Sequence, residues 1–331
     1  MDEGLSNRLK DLAVLVNTYL AEKLRGAPEN VYMAATHLIR AGGKRVRPAV
    51  TLATAKMLGG GEAVARALPL AAAVEVLHNF TLIHDDIMDQ DEYRRGVPTV
   101  HKVWGVPMAI LAGDLLYAYT FRMALESRDN GLKPRRTIYA LKILADASVK
   151  VSEGQAYDMM YEDRWDVDVD DYLKMVYLKT AALIEASAML GAIAGNADRS
   201  LVALMGEYGK LVGLAFQIRD DILGVFGDPK KTGKPVYSDL RRGKKTLLLI
   251  YTVRKLGGYE EVSKMLSEGK YDEVAELIKE SGALSYAEDL ARRYMERAVE
   301  IIDSIDELEV RDEESRSFLS SLARFVVERE K

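Results

Sequence analysis

Apolar residues recur at spacings of three and four along almost the whole chain, and strict apolar–polar alternation is rare. That period belongs to helices with one buried face, and the abundant Ala and Leu favour the same state. The pattern predicts helices over Leu5–Leu24, Val31–Ala41, Pro48–Leu58, Ala63–Met88, Pro107–Ser127, Pro134–Met160, Val169–Ala194, Ser200–Phe226 and Lys245–Leu256, with several more after Tyr259. Pro48, Pro107 and Pro134 each suit a first helical turn. Gly42-Gly43, Gly59-Gly60-Gly61, Asn130-Gly131 and Gly257-Gly258 supply the breaks. No Gly/Ser/Pro-rich linker divides the chain, so the expectation is an all-α fold in a single domain over residues 1–331. The charge-laced helices after Tyr259 carry no chemical motif and read as a packing layer.

Composition narrows the function. With 331 residues, 48% of them hydrophobic, the chain can bury a substantial core. A formal net charge of -5 argues against a general nucleic-acid binder. The absence of cysteine removes disulfides, zinc-thiolate sites and thiol nucleophiles together. Asp2 and Glu3 open a start without an apolar run, so no signal peptide is expected and the protein is expected in the cytoplasm. The most apolar window, Val103–Phe121, is interrupted by Pro107 and Asp114. It reads as a buried helix, with no stable membrane insertion.

Two acidic sites carry the chemistry. In Asp85-Asp86-Ile87-Met88-Asp89, Asp85 and Asp89 lie one turn apart and share a helix face. Like charges so placed repel, and a hard divalent cation converts that repulsion into oxygen ligation. A solvated acidic helix end is the bland alternative, and the apolar Phe80, Leu82 and Ile83 weigh against it. His78 lies seven residues before Asp85, on the same stripe and about 10 Å away along the axis. The second site is Gln217-Ile218-Arg219-Asp220-Asp221-Ile222-Leu223-Gly224, in which Gln217, either Asp220 or Asp221, and Gly224 share a face. Two such helices facing a cavity would clamp two or three metals on one diphosphate.

Cations in glycine-rich contexts complete the charge balance. Gly42-Gly43-Lys44-Arg45-Val46-Arg47-Pro48 puts three cations in a turn that opens a helix, where backbone amides and guanidinium forks favour phosphate. Arg94-Arg95-Gly96 follows the first acidic helix. Lys179-Thr180 sits in an apolar helix, and Lys234 and Lys244-Lys245 follow glycines. Together they suggest two diphosphate pockets.

In order along the chain, GGKRVRP (42–48), HNFTLIHDDIMD (78–89), RRGVPT (94–99), GDLLYA (113–118), EGQAYD (153–158), LKTAALIEAS (178–187), FQIRDDILGVFGD (216–228) and GKPVYSDLRRGKKT (233–246) resemble the trans-isoprenyl diphosphate synthase, or polyprenyl synthetase, family. The archaeal-type geranylgeranyl diphosphate synthases are nearest in look. The resemblance implies an isoprenoid synthase bundle of long helices around a central cavity, a homodimer, and two or three Mg2+ per active site. It implies Asp85, Asp89 and Asp220 as metal ligands supported by Asp86 and Asp221. It places isopentenyl diphosphate on Lys44, Arg47, His78 and Arg95, and the allylic diphosphate on Arg94, Lys179, Thr180, Gln217, Lys234 and Lys244. Catalysis would rest on Asp85, Asp89, Asp220, Lys179 and Lys234. Two positions depart from the family pattern: Gly224 stands where many relatives carry the last Asp of the second motif, and Tyr237 stands where the loop usually has Gly.

The implied reaction condenses isopentenyl diphosphate with dimethylallyl, geranyl or farnesyl diphosphate. The resemblance also makes Phe80, with Thr81 beside it, the floor that limits chain length. Helix geometry alone does not put Phe80 on the carboxylate stripe. The expected product is geranylgeranyl diphosphate, with farnesyl or a farnesyl/geranylgeranyl mixture as the alternative. A terpene cyclase would not need the second diphosphate pocket implied by the 43–48 turn. A non-catalytic prenyltransferase-like subunit would be expected to lose site residues, and only Gly224 hints at such a loss.

Overall fold

The computed structural model describes residues 3–228 and 237–328. The chain divides into two compact units, each assembled from three stretches: Met1–Val149, Leu183–Glu207 and Ser304–Leu319 in the first, Lys150–Ala182, Tyr208–Asp303 and Ser320–Lys331 in the second. Among the described residues nearly all regular structure is helical.

The first unit is organised on α4 (Gly61–Met88), packed against α3 (Val46–Gly59) and α6 (Val106–Glu126). From Pro69 to Leu77 every residue of α4 is buried. A helix that is apolar all round belongs in an interior, and this one carries the acidic motif at its C-terminal end. Pro69 lies inside it and leaves one helical bond unmade. α1 (Glu3–Lys23) packs on α3 and α4, and α2 (Glu29–Arg40) packs on α6. Between α4 and α5 (Val100–Trp104) the chain makes a feature the periodicity does not predict. Tyr93–Arg94 pairs antiparallel with Val97–Pro98. The two loop residues, Arg95 and Gly96, both have positive φ, at 54° and 76°. A two-residue hairpin demands that combination in a type I′ turn.

The second unit surrounds α8 (Val169–Val176), the C-terminal part of α10 (Arg199–Phe226), the short α11 (Ser238–Arg241), and α12 to α15 (Leu247–Leu256, Glu260–Ser267, Tyr271–Glu280 and Ala283–Asp303). Its core joins Tyr172, Ile218, Ile222, Leu247, Leu248, Val262, Val274 and Ile278. A reciprocal capping box between Asp168 and Asp171 starts α8. Within the span the sequence reads as one helix over Val169–Ala194, a π turn at Tyr177–Ala181 separates α8 from α9 (Ala182–Ala194). Gly154, on α7 (Pro134–Tyr161), explains the room available there. A Cβ at Gly154 would overlap the backbone of Leu178 and Lys179, so only glycine lets the two helices approach so closely.

Several predicted boundaries move by one or two residues. α2 begins at Glu29, α3 at Val46 with Pro48 in its first turn, and α12 at Leu247 rather than Lys245. Among the described residues, four helical spans, Gly61–Met88, Val106–Glu126, Val169–Ala194 and Arg199–Phe226, are long and apolar enough to cross a membrane by length and composition. In three of them most of the apolar window is buried in the protein; in α6 only 44% is. α6 is therefore less buried than the sequence predicts, and Ile110, Leu111 and Tyr117 are exposed on it.

Candidate active site

The C-terminal end of α4 presents the first acidic site. Asp85 is part-buried, Asp86 fully buried, and Asp89 exposed where the helix ends. Arg94, delivered by the hairpin, bonds Asp86 Oδ1 through Nε. Its NH2 lies 3.3 Å from Asp91 and 3.6 Å from Asp85. Asp86 Oδ2 is buried without a hydrogen-bond partner. Burial pushes the Asp86 carboxyl up to about 6, against the pull of Arg94. An orphaned anionic oxygen beside two more carboxylates suits a hard cation. Among the described residues, no three His, Asp or Glu side chains are gathered tightly enough to hold a metal alone.

Two turns earlier on α4, the chemistry reverses sign. His78 Nε2 lies 3.4 Å from Arg47 NH1. Burial, with Arg47 and Arg95 close by, holds the imidazole well below its usual value and therefore neutral. Burial also lowers Arg47 to about 10, and its Nε is buried with no acceptor. Arg95 donates to the carbonyls of Leu38 at 2.8 Å and Gly42 at 2.5 Å, so its guanidinium is fixed against the 42–43 turn. Lys44 is exposed beside it. The structure thus brings Arg47, His78 and Arg95 together two turns before the C-terminal end of α4, and Arg94 with Asp85 and Asp86 at that end.

The second unit gathers the other set. Thr180 donates to Gln217 Oε1 at 2.9 Å, and Gln217 Nε2 donates to Asp221 Oδ1 at 2.9 Å. The residue sharing a face with Gln217 is therefore Asp221. Tyr172 donates to its other oxygen at 2.6 Å. Lys244 Nζ lies 3.5 Å from Asp221 Oδ1. Burial lowers Lys244, but Asp221, Asp239, Asp158 and Asp220 outweigh it and hold the ammonium above its ordinary value. Lys179 pairs with Asp158 at 2.5 Å. Asp220 is part-buried next to this network. Lys234 lies outside the described residues.

The two departures from the family pattern have physical content. A Cβ at Gly224 would overlap the carboxylate of Asp239, so the space an Asp at 224 would need is filled by the Asp239 carboxylate. Tyr237 has φ of 58°, in the left-handed region that explains a glycine preference, and its hydroxyl donates to Asp272 at 2.8 Å.

Phe80 and Thr81 have defined neighbours. The Phe80 ring meets His84 at 4.8 Å and Tyr117 of α6 at 5.1 Å, and Tyr117 meets Phe121 at 5.3 Å. Thr81 donates its hydroxyl to the carbonyl of His78, within its own helix.

Sequence reasoning missed several supporting residues. Arg45, grouped with the phosphate cations, points inward. It is held by Glu75 at 2.7 Å, Asn17 at 2.9 Å and the carbonyl of Ile39 at 2.5 Å. Both members of the Arg45–Glu75 pair are almost fully buried, and removing one partner of such a pair costs about 3–5 kcal/mol. Asn79 donates to Glu75 Oε1 at 2.8 Å and turns its carbonyl to Arg95. A lone Glu inside Ala71–Leu77 was the available signal for this brace. Asp158 and Asp239 stand within recognised motifs, but no spacing rule links them to Lys179 or Gly224.

A helical protein with a carboxylate cluster at the end of one largely buried helix, Arg47 and Arg95 gathered on His78 two turns earlier, and a second Asp–Lys–Gln network besides has the features of a prenyltransferase. The comparisons agree. The polyprenyl synthetase model matches residues 28–281, and the chain belongs to that family. It is 53% identical over 321 residues to the geranylfarnesyl diphosphate synthase of Aeropyrum pernix, covering 96% of this chain and 100% of that one. It is 41% identical over 338 residues to the geranylgeranyl diphosphate synthase of Saccharolobus solfataricus, covering 99% of each. Among solved structures, geranylgeranyl pyrophosphate synthetase from Pyrococcus horikoshii superposes with a TM-score of 0.90 at 38% identity, covering 99% of both chains.

Proposed function

We propose that the whole chain acts as one magnesium-dependent isoprenyl diphosphate synthase domain that extends allylic diphosphates with isopentenyl diphosphate to geranylgeranyl diphosphate. The observation that carries this reading is a pair of sites with unmet polar groups of opposite kind, one where Arg47 of α3 meets His78 of α4 and one at the C-terminal end of α4. Arg47 has a buried donor without an acceptor, beside a neutral His78; Asp86 has a buried oxygen without a donor, beside Asp85. The first suits a diphosphate bound directly, the second a diphosphate bound through a cation.

In this reading Asp85, Asp89 and Asp220 hold magnesium, with Asp86 and Asp221 in support. Bound magnesium would supply Lewis-acid stabilisation of the charge that develops on the departing diphosphate. Arg94, Lys179 and Lys244 add fixed positive charge to the same leaving group, which is worth most where water is excluded. Lys234 joins them in the family reading. Arg47, His78, Arg95 and Lys44 hold isopentenyl diphosphate so that its double bond meets the allylic carbon. The carbon–oxygen bond of the allylic diphosphate breaks, the new carbon–carbon bond forms, and the released diphosphate takes the proton that leaves. No protein nucleophile is required.

The test is condensation of labelled isopentenyl diphosphate with each allylic primer from five to fifteen carbons, with products resolved by length. A dominant twenty-carbon diphosphate is expected. A fifteen-carbon product would replace the length assignment and keep the reaction. A twenty-five-carbon product is the second reading, favoured by the identity with the Aeropyrum enzyme.

The protein is proposed to be a cytoplasmic homodimer without stable membrane insertion or nucleic-acid partner. α6 supports the dimer: Val106, Ile110, Leu111, Tyr117 and Leu125 are all more than a third exposed, an apolar surface of the kind that marks an interface. Ile110→Glu is expected to convert a dimer to monomer in light scattering without unfolding it. A wild-type monomer, or a variant that remains dimeric, would remove α6 from the interface.

A further inference from the structure

We propose that Tyr172 is a positioning residue for the second aspartate site, acting through Asp221, and that the π turn at Tyr177–Ala181 sets the register that makes this contact. The inference rests on the reading of Asp220 and Asp221 as part of a metal site.

Four side chains form one continuous hydrogen-bonded run: Thr180 to Gln217, Gln217 to Asp221, and Tyr172 to Asp221. Its two ends, Tyr172 and Thr180, lie on one helical span, and its middle, Gln217 and Asp221, lies one turn apart on α10. Tyr172 and Asp221 are each only 1% exposed. A buried carboxylate must be satisfied in place, and here each oxygen accepts from a protein donor. Asp221 is therefore held by the protein, and it fixes the backbone that presents Asp220 next to it.

The π turn explains how both ends reach the same neighbour. In an α-helix residues advance by roughly 100° each, so positions eight apart differ by about 80° and face different ways. A turn closed by i→i+5 bonds holds one residue more than an α turn, so the eight steps cover the arc of about seven and end within about 20° of alignment. Tyr172 and Thr180 thus fall on one stripe, opposite Gln217 and Asp221. Gly154 admits the bulge by removing the side chain that would strike Leu178 and Lys179. A tyrosine needed only for packing would not require its hydroxyl, whereas this one spends it on Asp221.

Tyr172→Phe keeps the ring and deletes only the donor. In the wild-type protein, Mg2+ and inorganic diphosphate added together are expected to raise the melting temperature. In the variant, the melting temperature without additions should stay within a few degrees of wild type. The Mg2+ concentration that half-saturates this diphosphate-dependent shift should rise about tenfold, and KM for the allylic diphosphate should rise while KM for isopentenyl diphosphate holds. Hydrogen exchange at the 217–224 amides of the metal-free protein should quicken. Combining Tyr172→Phe with Asp221→Asn should add little to Asp221→Asn alone, because one acts through the other. Wild-type Mg2+ saturation and exchange in Tyr172→Phe, or additive effects in the double variant, would overturn the positioning role and leave the metal reading standing. A wild-type protein that binds diphosphate with no need of Mg2+ would overturn the metal reading and this inference with it.

Discussion

Asp85→Ala is expected to lower turnover by about 10³-fold at saturating substrates, the scale seen when one preorganised electrostatic group is removed from a transition state. The fold should survive. The Asp85 side chain is 19% exposed and its ion-pair contact to Arg94 is long, at 3.6 Å, so that ion pair adds little stability. Asp89, exposed at the helix end, should behave alike. Asp86 should not: it is buried and bonded to Arg94 Nε, so Asp86→Ala should lower the melting temperature as well as the rate. Steady-state kinetics beside thermal melts checks all three. Near-normal turnover in Asp85→Ala or Asp89→Ala would remove the metal assignment from α4.

The second large effect concerns product length. Phe80→Ala, or Phe80→Ser, is expected to lengthen the dominant product by at least one five-carbon unit. The ring is half-buried and stands against Tyr117 and His84, so its deletion leaves space on the α4 side of an aromatic tier that continues to Phe121. Such a space is apolar and favours a longer hydrocarbon. The diphosphate-binding residues are untouched, so KM values should move little. Chromatography of the products with a fixed primer decides it. Unchanged length would reject Phe80 as the floor.

The helices were legible because their period is written in the apolar residues, and the first acidic site stood out because Asp85 and Asp89 sit one turn apart in an otherwise apolar helix. The cations were legible as a set but not one by one. Lys44, Arg45 and Arg47 look equivalent in Gly42–Pro48, yet Arg45 takes a left-handed backbone with φ of 51° and turns into the core to meet Glu75. Arg94 and Arg95 look like a pair, and the type I′ turn sends one to Asp86 and the other to Gly42. The π turn could not be read, since Tyr177–Ala181 has ordinary helical composition and the extra residue is accommodated by Gly154, which is distant in sequence. Gly224 looked like a lost carboxylate until Asp239 was found filling its space. In each case the missing information was a tertiary contact, not a propensity.

The most direct measurement is diphosphate release by the purified protein with a fifteen-carbon allylic diphosphate, with and without Mg2+ and with and without isopentenyl diphosphate. Release only when both are present, in step with formation of a longer prenyl diphosphate, is the predicted result. Release with Mg2+ but no isopentenyl diphosphate would mean cyclase or hydrolase chemistry at the first aspartate site. No release under any condition would contradict catalysis by this chain and leave it a non-catalytic subunit.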